Sequence, residues 1–285
     1  MQARKLLKEK ELAYNEIKRQ REELENKNRD ITDSLVYASY IQQSLLPSET
    51  YFRKVLYDAF VFYKPKEIVS GDFYWVRKNL NRIFVVAADC TGHGVPGAFM
   101  SMIGVELLNK IIIDQNISKP SEVLSVMSKG IERTFNREEE KEKISKDGMD
   151  MGLCVIDLEK KAVDFAGAFL PLYIIRENKL IEIKGDRMSI GVDFDKDFTN
   201  NHFSLQDGDV IYMFSDGYPD QFGGPNNKKF MFRRFRHLLL TIHNFPMEEQ
   251  KSILRESIES WQRNNDQVDD LMVLGFRPME NASKN

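Results

Sequence analysis

Near the start of the chain, apolar residues recur every seven positions: Ile17, Leu24, Ile31, Ala38 and Leu45, with Leu7, Tyr14, Asn28 and Leu35 on the companion positions. Between residues 3 and 46 there is neither proline nor glycine, and Lys, Glu, Arg, Gln and Leu dominate. Such a heptad predicts one long helix with a coiled-coil seam, roughly 65 Å in length at the helical rise per residue. Arg21 and Asn28 fall on the seam, where they weaken it and fix its register. The expectation is therefore a parallel homodimer of modest stability rather than a single solvated helix. Pro47 ends the helix, and residues 48–54 read as a linker.

Beyond Pro47 the period changes. Runs rich in aromatic and β-branched residues predict strands at 57–63, 73–76 and 82–88. A helix follows Pro96 to about residue 113, with Ala98, Phe99, Met102, Ile103 and Leu107 as its apolar face, and a second spans 121–135 behind a Ser121 cap. Residues 136–146 are almost wholly charged and read as an exposed loop. Strands resume at 151–156, 162–168, 172–176, 180–183 and 210–215, helices at 230–242 and 247–262, and a last strand at 271–276 precedes a polar tail. This order is α+β: two sheets packed together with helices on both outer faces.

Composition narrows the function classes. The net charge of −3 gives no general pull toward nucleic acid. The basic cluster Lys228, Lys229, Arg233, Arg234 and Arg236 reads as the solvated face of a helix. No run of eighteen apolar residues exists and the N-terminus is too charged for a signal peptide, so a cytoplasmic chain without a membrane span is expected. It also opens within a helix, as the output part of a larger sensor protein would. Two cysteines and four histidines argue against a disulfide framework or a histidine-built zinc site.

Carboxylates carry the candidate chemistry. Asp89 ends a strand and leads into C-T-G-H-G-V-P-G; Asp72 lies in V-S-G-D-F-Y-W, Asp216 in F-S-D-G-Y, and Asp269 with Asp270 in V-D-D-L-M-V. Singly, each is a turn or strand-flanking residue. As a set they differ, because a buried unpaired carboxylate is costly, and no Lys or Arg lies within four residues of Asp72, Asp89 or Asp216. Oxygen-only ligands favour Mg²⁺ or Mn²⁺, and two such ions imply phosphate ester hydrolysis. His93 is either a general acid or a locally bonded loop residue. Cys90 is rejected as a phosphatase nucleophile because Pro96 stands where that loop needs an arginine.

The blocks S-G-D-F-Y-W, A-D-C-T-G-H-G-V-P-G-A-F-M-S-M, G-M-D-M-G-L-C-V-I, F-A-G-A-F-L-P-L, F-S-D-G-Y-P-D-Q and V-D-D-L-M-V, in this order, resemble the bacterial protein phosphatase 2C-like serine phosphatases. The similarity is to the branch of the stage II sporulation phosphatase E and the sigma-B regulator phosphatase U, and I-Q-Q-S-L-L-P resembles the helix preceding the domain there. The resemblance implies a four-layer α-β-β-α sandwich over 47–278, preceded by a coiled-coil dimerisation and signalling helix over 1–46 and followed by a disordered tail over 279–285. It implies two Mn²⁺ or Mg²⁺ ions, with a weaker third near Asp150 as the alternative to a structural turn there. Asp72, Asp89, Asp216 and Asp269 take the place of the ligands, the Cys90 backbone carbonyl joins them, and Asp270 ranks below Asp269. The helix near Gly97 resembles a switch element. The eukaryotic members' phosphate-gripping arginine has no equivalent before Asp72, and the role of their histidine does not transfer to His93.

The implied activity is hydrolysis of phosphoserine or phosphothreonine on a partner protein, by resemblance a STAS-type anti-sigma-factor antagonist. Against it stand a catalytically silent signalling module of the same fold and a small-molecule phosphatase. The presence of all four aspartates argues against the silent module.

Overall fold

A computed structural model describes residues 2–56, 58–92, 94–135, 147–192 and 196–279. The expected loop at 136–146, the polar tail from residue 280 onward, Tyr57 and His93 lie outside the described residues. Helix α1, Gln2–Leu45, is a single uninterrupted element laced by ion pairs one turn apart, such as Arg19 with Glu16 and Arg21 with Glu25. The stretch read as a linker is instead a helix, α2, Glu49–Leu56. Ser48 caps it, its Oγ accepting from the Tyr51 N–H at 3.1 Å, while Phe52 and Leu56 lie one turn apart on the buried face. Proline ends one helix here, and a cap starts the next directly.

The body is built on strands β1 (Asp58–Lys64), β2 (Phe73–Asn79), β3 (Arg82–Cys90), β4 (Met149–Asp157), β5 (Ala162–Ala168), β6 (Leu172–Arg176), β7 (Lys179–Ile183), β8 (Asn201–Ser204), β9 (Val210–Phe214), the short pair β10 (Phe222–Gly223) and β11 (Lys228–Lys229), and β12 (Leu271–Arg277). One five-stranded sheet has the order β1-β12-β9-β6-β7 and the other β2-β3-β4-β5-β8, every pairing antiparallel. The helices are α3 (Gly94–Leu108), which runs on through a wider π turn at Asn109–Asp114, α4 (Pro120–Phe135), the single turn α5 (Gly217–Asp220), α6 (Phe232–Ile242) and α7 (Met247–Gln262). Pro120, rather than a Ser121 cap, opens α4.

Strand alternation sorts the apolar residues into three layers. On β3, Ile83, Val85 and Ala87 face the space between the sheets, where they meet Ile211, Met213, Met272 and Leu274 of the other sheet. Phe84, Val86 and Ala88 face outward and are covered by α3 and α4 through Met100, Val105, Leu124 and Met127. Tyr212, Phe214 and Val273 face the opposite way, under Phe235, Leu239, Leu254 and Ile258 of α6 and α7. Each of the larger aliphatic and Phe side chains contributes about 1.5–3 kcal/mol on burial, so the layering follows from the period-2 pattern. The result is the expected α-β-β-α sandwich.

The buried face of α3 is not the expected one. Of the expected face Ala98 is buried and Leu107 partly so, but Phe99 is 62% exposed, and the rest of the buried side is Gly97, Met100, Ser101, Gly104, Val105 and Leu108. The helix lies close on the sheet because it presents glycine: a Cβ on Gly104 would stand 2.7 Å from the Phe73 ring. The continuous segment Gly94–Asp114 is long and apolar enough, at mean hydropathy 1.3, to cross a membrane, but half of it is buried in the protein, as in a core helix.

Candidate metal centre

Strand register brings the carboxylates together. Asp89 on β3 is directly opposite Asp150 on β4, so both side chains leave the same face. Phe73 pairs with Ala88, which carries Asp72, one residue earlier, to the other side of Asp89. Asp150 is therefore a strand residue and not a turn. In the second sheet Phe214 pairs with Val273, so the continuation of β9 carries Asp216 alongside the start of β12, where Asp269 enters. Asp89, Cys90, Thr91, Gly92, Asp150, Ser189, Asp216 and Asp269 line one cavity of about 400 Å³, with Asp72 buried behind it.

Close backbone contacts fix this edge. A Cβ on Gly71 would come within 2.7 Å of the Gly92 carbonyl, and one on Gly97 would collide with that carbonyl and with the Gly71 Cα. Only glycine lets the Asp72 strand, the loop after Asp89 and the first turn of α3 meet. Asp270 serves the same end. Its Oδ1 accepts the Lys66 N–H at 2.7 Å, and its Oδ2 accepts those of Gly71 at 2.8 Å and Asp72 at 3.4 Å. That carboxylate is spent on backbone, which separates it from its neighbour Asp269.

The electrostatics are those of crowded acids. Burial, then the charge of Asp89, holds the Asp72 carboxyl well above the usual carboxylate range. Burial, then Asp216, Asp269 and Asp150, does the same to Asp89. Asp150 is raised by burial against the opposing hydrogen bond from Ser189 at 2.6 Å. Asp216 opens to solvent, yet chain packed round its carboxyl, then Asp220 and Asp269, push it up to about 6 while Lys229 pulls it down. Burial, then Asp89, also pushes the Cys90 thiol far up, so it is no nucleophile.

The donor set fits hard divalent cations. Asp72 Oδ2 is buried with no hydrogen-bond partner, and the surrounding acids raise one another where a cation would lower them all. Among the described residues no three His, Cys, Asp or Glu side chains close round a single point. An open arrangement of oxygens suits Mg²⁺ or Mn²⁺, which keep several of their own waters. The pattern in the sequence did not reveal Ser189 or the pair formed by Asp220 and Lys229, because their place depends on a loop, the single turn α5 and the short strand β11.

The family model described as Stage II sporulation protein E (SpoIIE) matches residues 80–278. The phosphoserine phosphatase RsbU of Bacillus subtilis (strain 168) is 25% identical over 210 residues, which cover 72% of this chain and 59% of RsbU, so the chain spans about three fifths of that relative's length. The SiaA-PP2C domain of Pseudomonas aeruginosa superposes with a TM-score of 0.80 at 32% identity, over 88% of this chain and 98% of that one. The PP2C phosphatase domain of SpoIIE from Bacillus subtilis, solved with a fragment of its regulatory domain, superposes with a TM-score of 0.62 at 20% identity, over 77% of this chain and 62% of that one. With its sandwich, its edge of aspartates and these relatives, the chain belongs to the stage II sporulation protein E family of bacterial protein phosphatase 2C-like serine phosphatases.

Proposed function

We propose that the chain hydrolyses phosphoserine or phosphothreonine on a partner protein, with Asp72, Asp89, Asp216, Asp269 and the Cys90 carbonyl holding two Mn²⁺ or Mg²⁺ ions. Asp150, beside Asp89 on the same face, is the candidate for a third, weaker ion. The observation that carries the reading is the gathering of carboxylates from both sheets at one edge, with a buried Asp72 oxygen left unpartnered. When bound, such ions offset phosphoryl charge and lower the pKa of a water. The chain's own residues bind and orient: the aspartates supply negative charge, Asp270 fixes the Asp72 backbone, and the glycines bring three segments to contact distance.

The likeness to RsbU, a phosphoserine phosphatase, supports phosphoserine as the group hydrolysed, here proposed to be carried by a STAS-type anti-sigma-factor antagonist in the cytoplasm. Residues 1–46 are the dimerising and signalling unit of the proposal, and 47–278 its phosphatase domain. Phosphate release from an aryl phosphate, with and without Mn²⁺, tests the activity; a thermal shift on adding Mn²⁺ tests binding separately. Mn²⁺-dependent turnover is expected, and binding without turnover would favour the silent signalling module.

A further inference from the structure

The basic cluster read from the sequence as one solvated helix face is divided by the fold. Arg236 is consumed: its guanidinium grips Glu182 through two contacts of 3.0 Å and donates to the Tyr173 hydroxyl at 2.8 Å. Lys228 and Lys229 are not helical but form β11 of a hairpin. That hairpin is tied to the metal edge. The Asp220 N–H donates to the Asp216 carbonyl at 3.0 Å, Lys229 Nζ meets Asp220 at 2.8 Å, and the Met231 N–H donates to the Pro219 carbonyl at 2.7 Å. From there α6 leads away, and an open groove of about 770 Å³ runs along it between Phe230, Arg233, Arg234, His237, Leu238 and Thr241.

The groove carries charge that the protein does not use. Arg233 on the groove and Lys228 in the adjoining hairpin are exposed and have no ion-pair partner among the described residues, and His237 is exposed beside them. The Arg234 guanidinium lies over the Trp261 ring, 4.4 Å from its centroid, with no ion-pair partner among the described residues. The chain as a whole is acidic, at −3, so this concentration of unpaired cations beside a phosphate-ester site is local. From Arg233 to Thr241 the helix runs about 12 Å, enough for several residues of an extended peptide.

We propose that this groove docks acidic residues flanking the phosphorylated side chain of the protein substrate, with Lys228, Arg233, Arg234 and His237 contacting their carboxylates. The inference rests on the phosphatase reading and adds the chemistry of the substrate surface. Continuity with the metal edge favours a substrate segment over nucleic acid as the occupant.

The test uses the full chain and the double variant Lys228→Glu/Arg233→Glu, whose two side chains are exposed with no ion-pair partner among the described residues and whose fold is checked by thermal melting. Short labelled serine peptides with acidic or neutral flanks are followed by fluorescence anisotropy, and their phosphorylated forms by phosphate release with Mn²⁺. Acidic flanks are expected to tighten binding and lower KM, and the double variant to raise KM for the acidic phosphopeptide about tenfold while leaving kcat/KM for an aryl phosphate unchanged. Raised salt should erase the difference. Equal binding of the two peptides, an unmoved KM in the variant, or tighter binding of a single-stranded oligonucleotide than of the acidic peptide would each overturn the groove assignment. Absence of aryl phosphate turnover strikes the phosphatase reading instead, and the anisotropy comparison still decides the groove.

Discussion

Asp269 and Asp270 are adjacent in sequence and opposite in duty. Asp270 is 2% exposed and accepts three backbone N–H groups, whereas Asp269 lines the cavity. Asp270→Ala therefore leaves buried donors unpaired, and we expect a loss of about 3 kcal/mol or more, read as a lowered denaturant midpoint. Asp89→Asn and Asp216→Asn remove a charge from a crowded set, so each should melt no lower than the parent without metal while losing at least about a hundredfold in Mn²⁺-dependent aryl phosphate turnover. Retained turnover in both would end their assignment as ligands. The strand-end aspartates were legible because each stands where an apolar run begins or stops. The task of Asp270 was not, since its partners Lys66, Gly71 and Asp72 are some two hundred residues away.

At the scale of elements, the end of α1 is wired to the metal edge through Gln42. Its Nε2 donates to the Ser70 carbonyl at 2.6 Å and to Ser101 Oγ at 2.8 Å, and its Oε1 accepts the Ser70 N–H at 3.1 Å. Ser70 precedes Gly71 and Asp72; Ser101 lies on α3, one turn beyond Gly97. A single buried amide thus joins the long helix, the Asp72 segment and α3. Gln42→Ala should cost about 1–3 kcal/mol and raise amide exchange at residues 70–72 and in the first turns of α3. Exchange confined to α1 would refute the coupling. Nothing in I-Q-Q-S-L-L-P tells which glutamine turns inward; only the packing does. The strands and most helices were readable because period-2 and helical patterns determine which face is buried. Strand β8, with alternating partial exposure at a sheet edge, and the two-residue hairpin strands carry too little apolar signal to read. The α3 face was misread because small residues, not large apolar ones, make its closest contacts.

For the molecule as a whole, the acid cluster sets an unusual pH dependence. An aspartate whose pKa is raised by folding holds its proton more tightly folded than unfolded, so its strain is relieved at low pH and returns as pH rises through the folded value. For Asp216 that value is about 6, and Asp72 and Asp89 are shifted the same way. Glu49, held low by Lys251 and Arg53 against its burial, and Asp157, held low chiefly by the Lys160 N–H, work oppositely, but their stabilisation is lost only below about pH 4.5. Metal-free protein should therefore melt higher at pH 5.5 than at pH 7.5, and saturating Mn²⁺ should reverse the order. A metal-free melting temperature that rises from pH 5.5 to 7.5 would contradict the crowding.

The proposed dimerising role of α1 is tested at the same scale. Over its first two thirds its seam residues find no cover among the described residues: Leu7, Ile17, Leu24 and Ile31 are 69%, 65%, 60% and 58% exposed, along an element of 44 residues. Single exposed leucines are ordinary, but a sevenfold series facing water over several turns is a surface that a second copy would cover at little entropic cost in the proposed dimer, because the helix is already formed. Ion pairs of Arg19 with Glu16 and of Lys27 with Glu23 support the helix locally and lie off the seam, whereas Arg21, itself a seam residue, pairs with Glu25. Deleting residues 1–33 removes most of the seam and spares Gln42, so the truncated chain should sediment as a monomer and keep its fold, while the full chain sediments as a concentration-dependent dimer. An identical mass for the two would place dimerisation, if there is any, outside the coil. Because Gln42 remains, any activity change on truncation then reports the loss of the partner helix rather than damage to the metal edge.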